Sequence, residues 1–203
     1  MNNAEIVLDG NSLTIEQVIS VSNFNTKVRL SNSSISTIKN SRNLVENIIS
    51  SGDVVYGINT GFGALSNVTI PTDKLEDLQS NLIRSHACGL GERMDPNSVL
   101  MMMIVRANSL AKGFSGARLE LIQLLVEMIN NRIVPVVPRI GSLGASGDLA
   151  PLSHMALAMM GESETQVQTS NGDWVTYNSK DALESFGLKP IKLQAKEGLS
   201  LIN

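Results

Sequence analysis

The sequence predicts a mainly α-helical protein that also contains a small mixed α/β region. Hydrophobic residues recur every three or four positions through residues 71–89 and 116–132, which is the spacing of one helix face. The dipeptide Asn171-Gly172 separates two short runs of β-forming residues, a pattern typical of a β-hairpin. These observations place most of the chain in helices and a minor part in short strands.

Near the beginning of the chain, a short strand at residues 6–8 is followed by two predicted helices. Thr14 and Gln17 fit a capping box, in which two side chains satisfy backbone amides at a helix start. Residues 34–50 carry isoleucine and valine at helical spacing. Residues 54–69 contain three glycines and no helical period, so they are expected to form an ordered loop.

The later helices have recognisable start and stop signals. The helix that begins near Pro71 is expected to stop at Gly89. Asp95 and Pro96 fit an N-cap followed by proline at the first helical position, and Gly113 fits the end of that helix. Further helices are expected at residues 116–132, from about 149 to 160 and up to Phe186, with an extended connection at Pro135 and Pro138.

Composition limits the kind of partner. Charged residues make up 17% of the 203 residues, the formal net charge is −3, and the basic residues are scattered. A nucleic acid or an anionic membrane requires a concentrated cationic face, so a small organic substrate is favoured. The single cysteine, Cys88, cannot form an intrachain disulfide, and neither a secretory signal nor an apolar run of about 18 residues is recognisable. These features predict a cytoplasmic protein without a membrane partner.

The segment at residues 141–148, GSLGASGD, is the most unusual stretch of the chain. A glycine-rich loop before a helix can bind phosphate with its backbone amides. However, the segment lacks the Gly-Lys-Ser/Thr ending of a P-loop, and Asp148 stands where a Gly-x-Ser-x-Gly nucleophile motif has its last glycine. In isolation, such a segment is typical of a flexible turn.

Together with its flanking residues, this segment resembles a motif of a known family. Residues 134–154, VPVVPRIGSLGASGDLAPLSH, resemble the signature of the aromatic amino acid ammonia-lyases and aminomutases. Residues 56–63, YGINTGFG, are similar to the tyrosine loop of that family. Residues 81–86, NLIRSH, followed by Gly89, resemble its histidine-acting branch, and residues 196–203, KEGLSLIN, match a fourth family segment. The segments occur in the family's order and span nearly the whole chain.

The resemblance implies an electrophilic cofactor made from the chain itself. Family members build 4-methylidene-imidazol-5-one (MIO) from an Ala-Ser-Gly tripeptide, here Ala145, Ser146 and Gly147. The residue types suit the chemistry: the Gly147 amide nitrogen attacks the Ala145 carbonyl carbon, which a Cβ would hinder, and Ser146 loses its hydroxyl as water. Asp148 is implied to assist proton transfer, or alternatively it caps the next helix. No residue cluster has metal-ligand spacing, so no metal is expected.

Three further residues have roles implied by the resemblance. Tyr56 is the implied catalytic base that removes the substrate β-proton, and alternatively its ring packs against the core. A phenol is mostly protonated at neutral pH, so it must be activated or act as substrate charge develops. His86 is an implied catalytic and substrate-binding residue whose ring nitrogens can donate or accept; alternatively it is a satisfied histidine on an apolar helix face. Asn203 is implied to contact the MIO group or the substrate carboxylate, and alternatively it is simply exposed.

The resemblance also implies the fold, the reaction and the assembly. It assigns residues 1–203 to the helical N-terminal domain of the ammonia-lyase (fumarase/aspartase-like) fold. Because the chain ends inside an apolar pattern, we expect a central helical bundle and a C-terminal part to be absent, and the isolated chain to be inactive. The implied reaction is loss of ammonia from L-histidine to give urocanate, a step of histidine catabolism, in a homotetramer. A tyrosine or phenylalanine ammonia-lyase, an aromatic 2,3-aminomutase and, more remotely, a non-catalytic helical interaction domain are the alternatives.

Overall fold

The computed structural model describes residues 5–142 and 149–203. Most of these residues lie in helices, so the predicted mainly α-helical class is confirmed. The helices are α1 (Ile15–Phe24), α2 (Asn32–Ser51), α3 (Leu75–His86), α4 (Pro96–Ala111), α5 (Leu119–Asn130), α6 (Leu149–Met159), α7 (Ser179–Ser185) and α8 (Glu197–Ile202). Single turns of 3-10 helix lie at Gly63–Leu65 and Thr72–Lys74.

Short strands form three small sheets in the described part of the chain. The strands are β1 (Ile6–Leu8), β2 (Val28–Leu30), β3 (Leu90–Arg93), β4 (Ile133–Pro135), β5 (Pro138–Ile140), β6 (Glu164–Gln168) and β7 (Trp174–Asn178). β1 pairs with β2 in parallel, β3 pairs with β5 antiparallel, and β4, β6 and β7 form an antiparallel sheet. The predicted hairpin is confirmed as β6–β7, with Gly172 in its turn at a φ of 91°.

Helix starts follow the predicted capping signals. The Gln17 amide donates to the Thr14 hydroxyl at 3.3 Å, while the Thr14 amide donates to the Gln17 side chain at 3.0 Å. Asp95 caps α4 by accepting from the Ser98 amide at 3.0 Å, with Pro96 in the first turn. Each such cap contributes about 1 kcal/mol of helix stability. Both predicted helix starts are therefore confirmed.

The predicted bounds of α5 were wrong by a few residues at each end. The helix begins at Leu119, because Gly116 adopts a φ of 72°, in the left-handed region that no α-helix contains. It ends at Asn130, and Arg132 adopts a φ of 54°. Hydrophobic periodicity continues past both ends of the helix, so it marks the buried face better than the boundaries.

Strand β3 was not predicted, because none of its residues shows the alternation of a half-buried strand. All four residues are exposed, and Leu90 alone is 71% exposed. Gly91 adopts a φ of 84°, and the register with β5 shifts along the strand. Pairing with β5 therefore defines this strand more than its own sequence does.

The core lies where α4 and α5 pack together, with α1 and β4 against them. Full burial of an aliphatic side chain contributes about 1.5–3 kcal/mol, so these two helices dominate the stability of the fold. The fully buried residues on their facing surfaces include Leu100, Met103, Ile104, Leu121, Leu125 and Met128. Among the described residues, no helix is both long and apolar enough to cross a bilayer.

Candidate active site

The predicted tyrosine loop is a hydrogen-bonded turn that presents Tyr56 outward. Asn59 is only 7% exposed, and its side chain accepts from the Val55 amide at 2.9 Å and donates to the Asp53 carbonyl at 2.7 Å. Tyr56 is 60% exposed, and its ring meets Phe62 edge-on, with ring centroids 6.4 Å apart. The alternative in which this ring packs against the core is therefore wrong, and the phenol is accessible.

Gly57 brings the tyrosine loop directly against α8. Its φ of 75° lies in the left-handed region, and its amide donates to the buried Thr60 hydroxyl at 3.2 Å. A Cβ at Gly57 would lie 2.7 Å from Cδ2 of Leu199, well inside van der Waals contact. Glycine is therefore required both by the backbone conformation and by the approach of α8.

His86 ends α3 and has its ring tied to its own helix. Nδ1 lies 2.8 Å from the Leu82 carbonyl oxygen and 3.0 Å from Oγ of Ser85. The predicted apolar stripe is confirmed, since Leu75 and Leu82 on the same face are buried. His86 is half-buried at the end of that stripe, so part of its ring faces outward.

The residues that follow His86 pack against both flanks of the predicted cofactor-forming segment. The Gly89 amide donates to Nε2 of His154 at 3.1 Å, and a Cβ on Gly89 would lie 3.0 Å from the same atom. A Cβ on Gly141 would lie 3.0 Å from Cβ of Ala150 and 3.2 Å from Cα of Gly89. The chain entering the segment and the helix leaving it are thus held beside the end of α3.

Gly89 was predicted to stop α3, and this prediction is wrong. The helix ends at His86, and Ala87 follows with a φ of −78° rather than a left-handed cap. Gly89 is not among the residues with positive φ. Its lack of a side chain instead permits the close approach of α6.

His154 has the structural role that its position in a helix favoured. Burial lowers the pKa of His154, which keeps the ring neutral at pH 7. A neutral ring is required here, because Nε2 must be unprotonated to accept from the Gly89 amide. The histidine joins α6 to the end of α3 without facing an open site.

The predicted cofactor-forming residues Ala145, Ser146, Gly147 and Asp148 lie outside the described residues. Their roles, and the alternative of Asp148 as an N-cap, stay predictions. The described frame on either side consists of β5 and Gly141 before the segment and α6 after it, beginning at Leu149.

Gln79 fastens α8 to α3, and it is a residue that sequence interpretation missed. Its side chain is fully buried, and Oε1 accepts from the Leu199 amide at 3.2 Å. A Cβ on Gly198 would lie 2.8 Å from the Gln79 carbonyl oxygen, so the two backbones nearly touch. Its position on the buried face with Leu75 and Ile83 was the available signal, since a polar residue on an apolar stripe needs a partner.

A buried ion pair fixes the start of α8. Glu197 is fully buried and receives two hydrogen bonds from the Arg118 guanidinium, Nε to Oε1 at 2.8 Å and Nη2 to Oε2 at 2.7 Å. The Arg118 backbone amide and the Gln194 amide also donate to this carboxylate, at 3.0 and 2.7 Å. In the sequence, Glu197 is recognisable only as part of the segment at residues 196–203, and no local pattern pairs it with Arg118.

Asn203 lies exposed at the end of α8, where Arg106 anchors the backbone. The Arg106 guanidinium donates to the carbonyls of Ser200 and Asn203, the latter at 2.7 Å. Burial lowers the pKa of Arg106 from its ordinary value. Arg106 therefore holds the end of α8, where Asn203 lies. The predicted contact of Asn203 with the MIO group or the substrate carboxylate stays a prediction.

The sequence segments with predicted roles are contiguous in space. The tyrosine loop meets α8 at Leu199, α3 meets α8 at Gln79, and the end of α3 meets the cofactor segment's flanks at Gly89. Tyr56 and Asn203 are exposed and His86 is half-buried, so all three residues keep surface that another molecule can reach. A cavity of about 420 Å³ lies elsewhere, beside the Arg84–Glu162 ion pair, and neither Tyr56, His86 nor Asn203 lines it.

Solved enzyme structures share this fold. An ergothioneine-degrading enzyme, ergothionase, from Treponema denticola matches with a TM-score of 0.90 and 32% identity, over 98% of this chain and 39% of that one. Histidine ammonia-lyase from Trypanosoma cruzi matches with a TM-score of 0.86 and 39% identity, over 98% of this chain and 37% of that one. The fold and the contiguous segments thus assign this chain to the class of ammonia-lyases and aminomutases.

The family model for aromatic amino acid lyases matches residues 13–203, and the chain belongs to that family. Histidine ammonia-lyase from Staphylococcus aureus (strain JH9) is 49% identical to it over 198 residues, which are 98% of this chain and 38% of that relative. The resemblance seen in the sequence is confirmed. The chain spans less than two fifths of the length of these relatives.

Proposed function

We propose that this chain is the N-terminal, cofactor-forming part of a histidine ammonia-lyase, which converts L-histidine to urocanate and ammonia. The single observation that carries the proposal is the contact of the tyrosine loop, α3 and the flanks of the Ala-Ser-Gly segment around α8. The 49% identity to a histidine ammonia-lyase supports the choice of substrate. The reaction breaks the Cα–N bond, removes one β-proton and forms a carbon–carbon double bond, so no oxidant or reductant is needed.

The cofactor in this proposal is MIO, formed from Ala145, Ser146 and Gly147. It supplies an electrophile that draws electron density from the substrate, which no unmodified side chain provides. The described frame fits such a group, because Gly141 and Ala150 hold the two flanks against the end of α3. The first turn of α6 carries the partial positive charge of a helix start, which draws electron density from a neighbouring group and would raise its electrophilicity.

The remaining roles follow from exposure and hydrogen bonding. Tyr56 acts as the base for the β-proton, and its exposed side chain is reachable by a substrate. His86 binds the substrate ring from the end of α3, and Asn203 contacts the MIO group or the substrate carboxylate from the end of α8. Asp148 assists proton transfer during ring closure.

The assembly in this proposal is a cytoplasmic homotetramer that acts on a small amino acid without a metal or a nucleic acid. The exposure of Tyr56 and Asn203 supports a site that other parts of the full-length protein complete. We therefore expect the 203-residue chain alone to show no turnover of histidine. Detectable urocanate formation by the purified chain would contradict this division of the site.

The proposal is tested on the full-length protein by two measurements. Activity is assayed with histidine, tyrosine, phenylalanine and ergothioneine, the last because a similar structure is an ergothionase. We expect urocanate from histidine to be the main product. A mass about 36 Da below the sequence mass is expected as well, since ring closure and dehydration release two waters.

The outcomes separate the alternatives. Preferred turnover of tyrosine or phenylalanine, with the same mass loss, would assign another member of the family. Formation of a β-amino acid would indicate an aminomutase. An unchanged mass without turnover would indicate the non-catalytic interaction domain.

A further inference from the structure

His86 is held by two neighbours in the last turn of α3, and both contact the same ring nitrogen. The Leu82 carbonyl oxygen lies 2.8 Å from Nδ1, and Oγ of Ser85 lies 3.0 Å from it. A carbonyl oxygen can only accept a hydrogen bond. The proton of a neutral His86 ring therefore belongs on Nδ1, because the other tautomer would set two lone pairs against each other at 2.8 Å.

The Ser85 hydroxyl is consistent with the same tautomer. It donates its proton to the Leu82 carbonyl at 2.8 Å, so its oxygen turns a lone pair towards Nδ1 of His86. Both neighbours thus favour a protonated Nδ1. No hydrogen bond joins Nε2 to any residue in the described parts of the chain.

We propose that the Leu82 carbonyl and the Ser85 hydroxyl fix His86 as the Nδ1–H tautomer, so that Nε2 acts only as a hydrogen-bond acceptor towards the substrate. This inference rests on the proposed function, in which His86 faces the substrate ring. The site then selects rings that present an N–H or O–H donor, such as imidazole or phenol. A ring nitrogen that can only accept would face the lone pair of Nε2, so no hydrogen bond forms between them. On binding, such a ligand loses its hydrogen bond to water without a replacement.

The test compares ring donors with ring acceptors on the full-length protein. Dissociation constants are measured by calorimetry, with Tyr56→Phe in both compared proteins to suppress deamination, for histidine, phenylalanine and the 2-, 3- and 4-pyridylalanines. The pH is mildly alkaline, so that pyridine is unprotonated. The His86→Leu variant shows what each ligand loses by desolvation alone, since leucine neither donates nor accepts.

Histidine is expected to bind the protein that keeps His86 about three- to tenfold more tightly than it binds the one with His86→Leu, which is the usual size of one hydrogen bond. None of the three pyridylalanines is expected to gain, relative to phenylalanine, from the presence of His86. A gain of about threefold or more for any pyridylalanine would show that Nε2 donates, and it would overturn the proposal.

Two control variants on α3 distinguish an effect of the His86 tautomer on the ligand ranking from a general effect on the helix. Ser85→Thr keeps the hydroxyl and should preserve the ligand ranking, and Ser80→Ala changes a serine one turn earlier and should do the same. The melting temperature of each variant establishes that it is folded. Tight histidine binding that depends on His86 without any deamination would refute the proposed function and leave this inference standing, whereas deamination with tight pyridylalanine binding would do the reverse.

Discussion

The Gly89 amide and the His154 ring form a hydrogen bond of 3.1 Å between positions 65 residues apart. This bond joins the end of α3, which carries His86, to the helix that follows the predicted cofactor segment. It favours glycine at position 89, where a Cβ would lie 3.0 Å from Nε2, and it needs an unprotonated Nε2 at position 154. The packing of α6 against the end of α3, where His86 lies, therefore depends on the His154 ring staying neutral.

We expect mild acid to destabilise the protein through His154. Burial lowers the pKa of His154 in the folded state, so the unfolded chain takes up the proton first. The stability contributed by the neutral ring is fully present above about pH 6.5, the ordinary value of histidine, and is lost as the pH falls through the lower folded value. The melting temperature between about pH 8 and about pH 5 measures this loss.

The matched variant for this prediction is His154→Gln. Its amide oxygen can accept from Gly89 but does not titrate, so its melting temperature should fall less steeply across the same range. His86 is present in both proteins, and its contribution cancels in the difference. Identical slopes for the two proteins would assign the pH dependence to other groups.

A side chain at Gly57 is expected to separate the tyrosine loop from α8. Gly57→Ala places a Cβ at a φ of 75° and 2.7 Å from Leu199, so it combines backbone strain of about 1 kcal/mol with displacement of α8. Gly187→Ala causes the same kind of backbone strain, at a φ of 71°, but its added Cβ would have no atom within 4 Å. Urea unfolding should show a larger stability loss for Gly57→Ala than for Gly187→Ala, and histidine turnover should fall only in the former. Equal effects of the two changes would show that the loop–helix contact has no separate importance.

Removing Arg118 is expected to cost far more stability than removing an exposed arginine. Arg118→Met leaves the Glu197 carboxylate buried without a counter-charge, a loss of about 3–5 kcal/mol in the free energy of unfolding. Arg84→Met breaks a pair of similar geometry with Glu162, but both of those side chains are more than a third exposed, so the cost is below about 1 kcal/mol. Chemical denaturation of both variants makes the comparison. A small loss for Arg118→Met would mean that the backbone amides of Arg118 and Gln194 are sufficient to hold the Glu197 carboxylate.

Tyr56→Phe is expected to reduce kcat in the full-length protein by about 10²–10⁴-fold, because the change removes the proposed proton acceptor and keeps the ring. KM for histidine should change little, since in the proposed role the hydroxyl acts only on the β-proton. Tyr177→Phe, on β7, removes the other tyrosine hydroxyl of this chain and should leave kcat unchanged. Unaltered turnover in Tyr56→Phe would reassign the base.

The sequence predicted the features that depend on near neighbours, such as the capping box at Thr14 and the helix start at Asp95. It also identified the tyrosine loop and His86, through the resemblance of whole motifs. The sequence could not predict two contacts, Arg118 with Glu197 and Gln79 with Leu199, because each joins residues at least 79 positions apart. No local pattern contains such contacts, and only the packing of α8 creates them.

The position of α8 also determines when the candidate site can assemble. This helix follows the other described helices in sequence, yet it contacts α3 and α6, and Arg42 donates to the Ala195 carbonyl just before it, across 153 positions. Contacts between distant positions form slowly, because a long loop must close before they contribute stability. During synthesis, the tyrosine loop and α3 therefore lack their contacts with α8 until residues 197–202 have emerged from the ribosome.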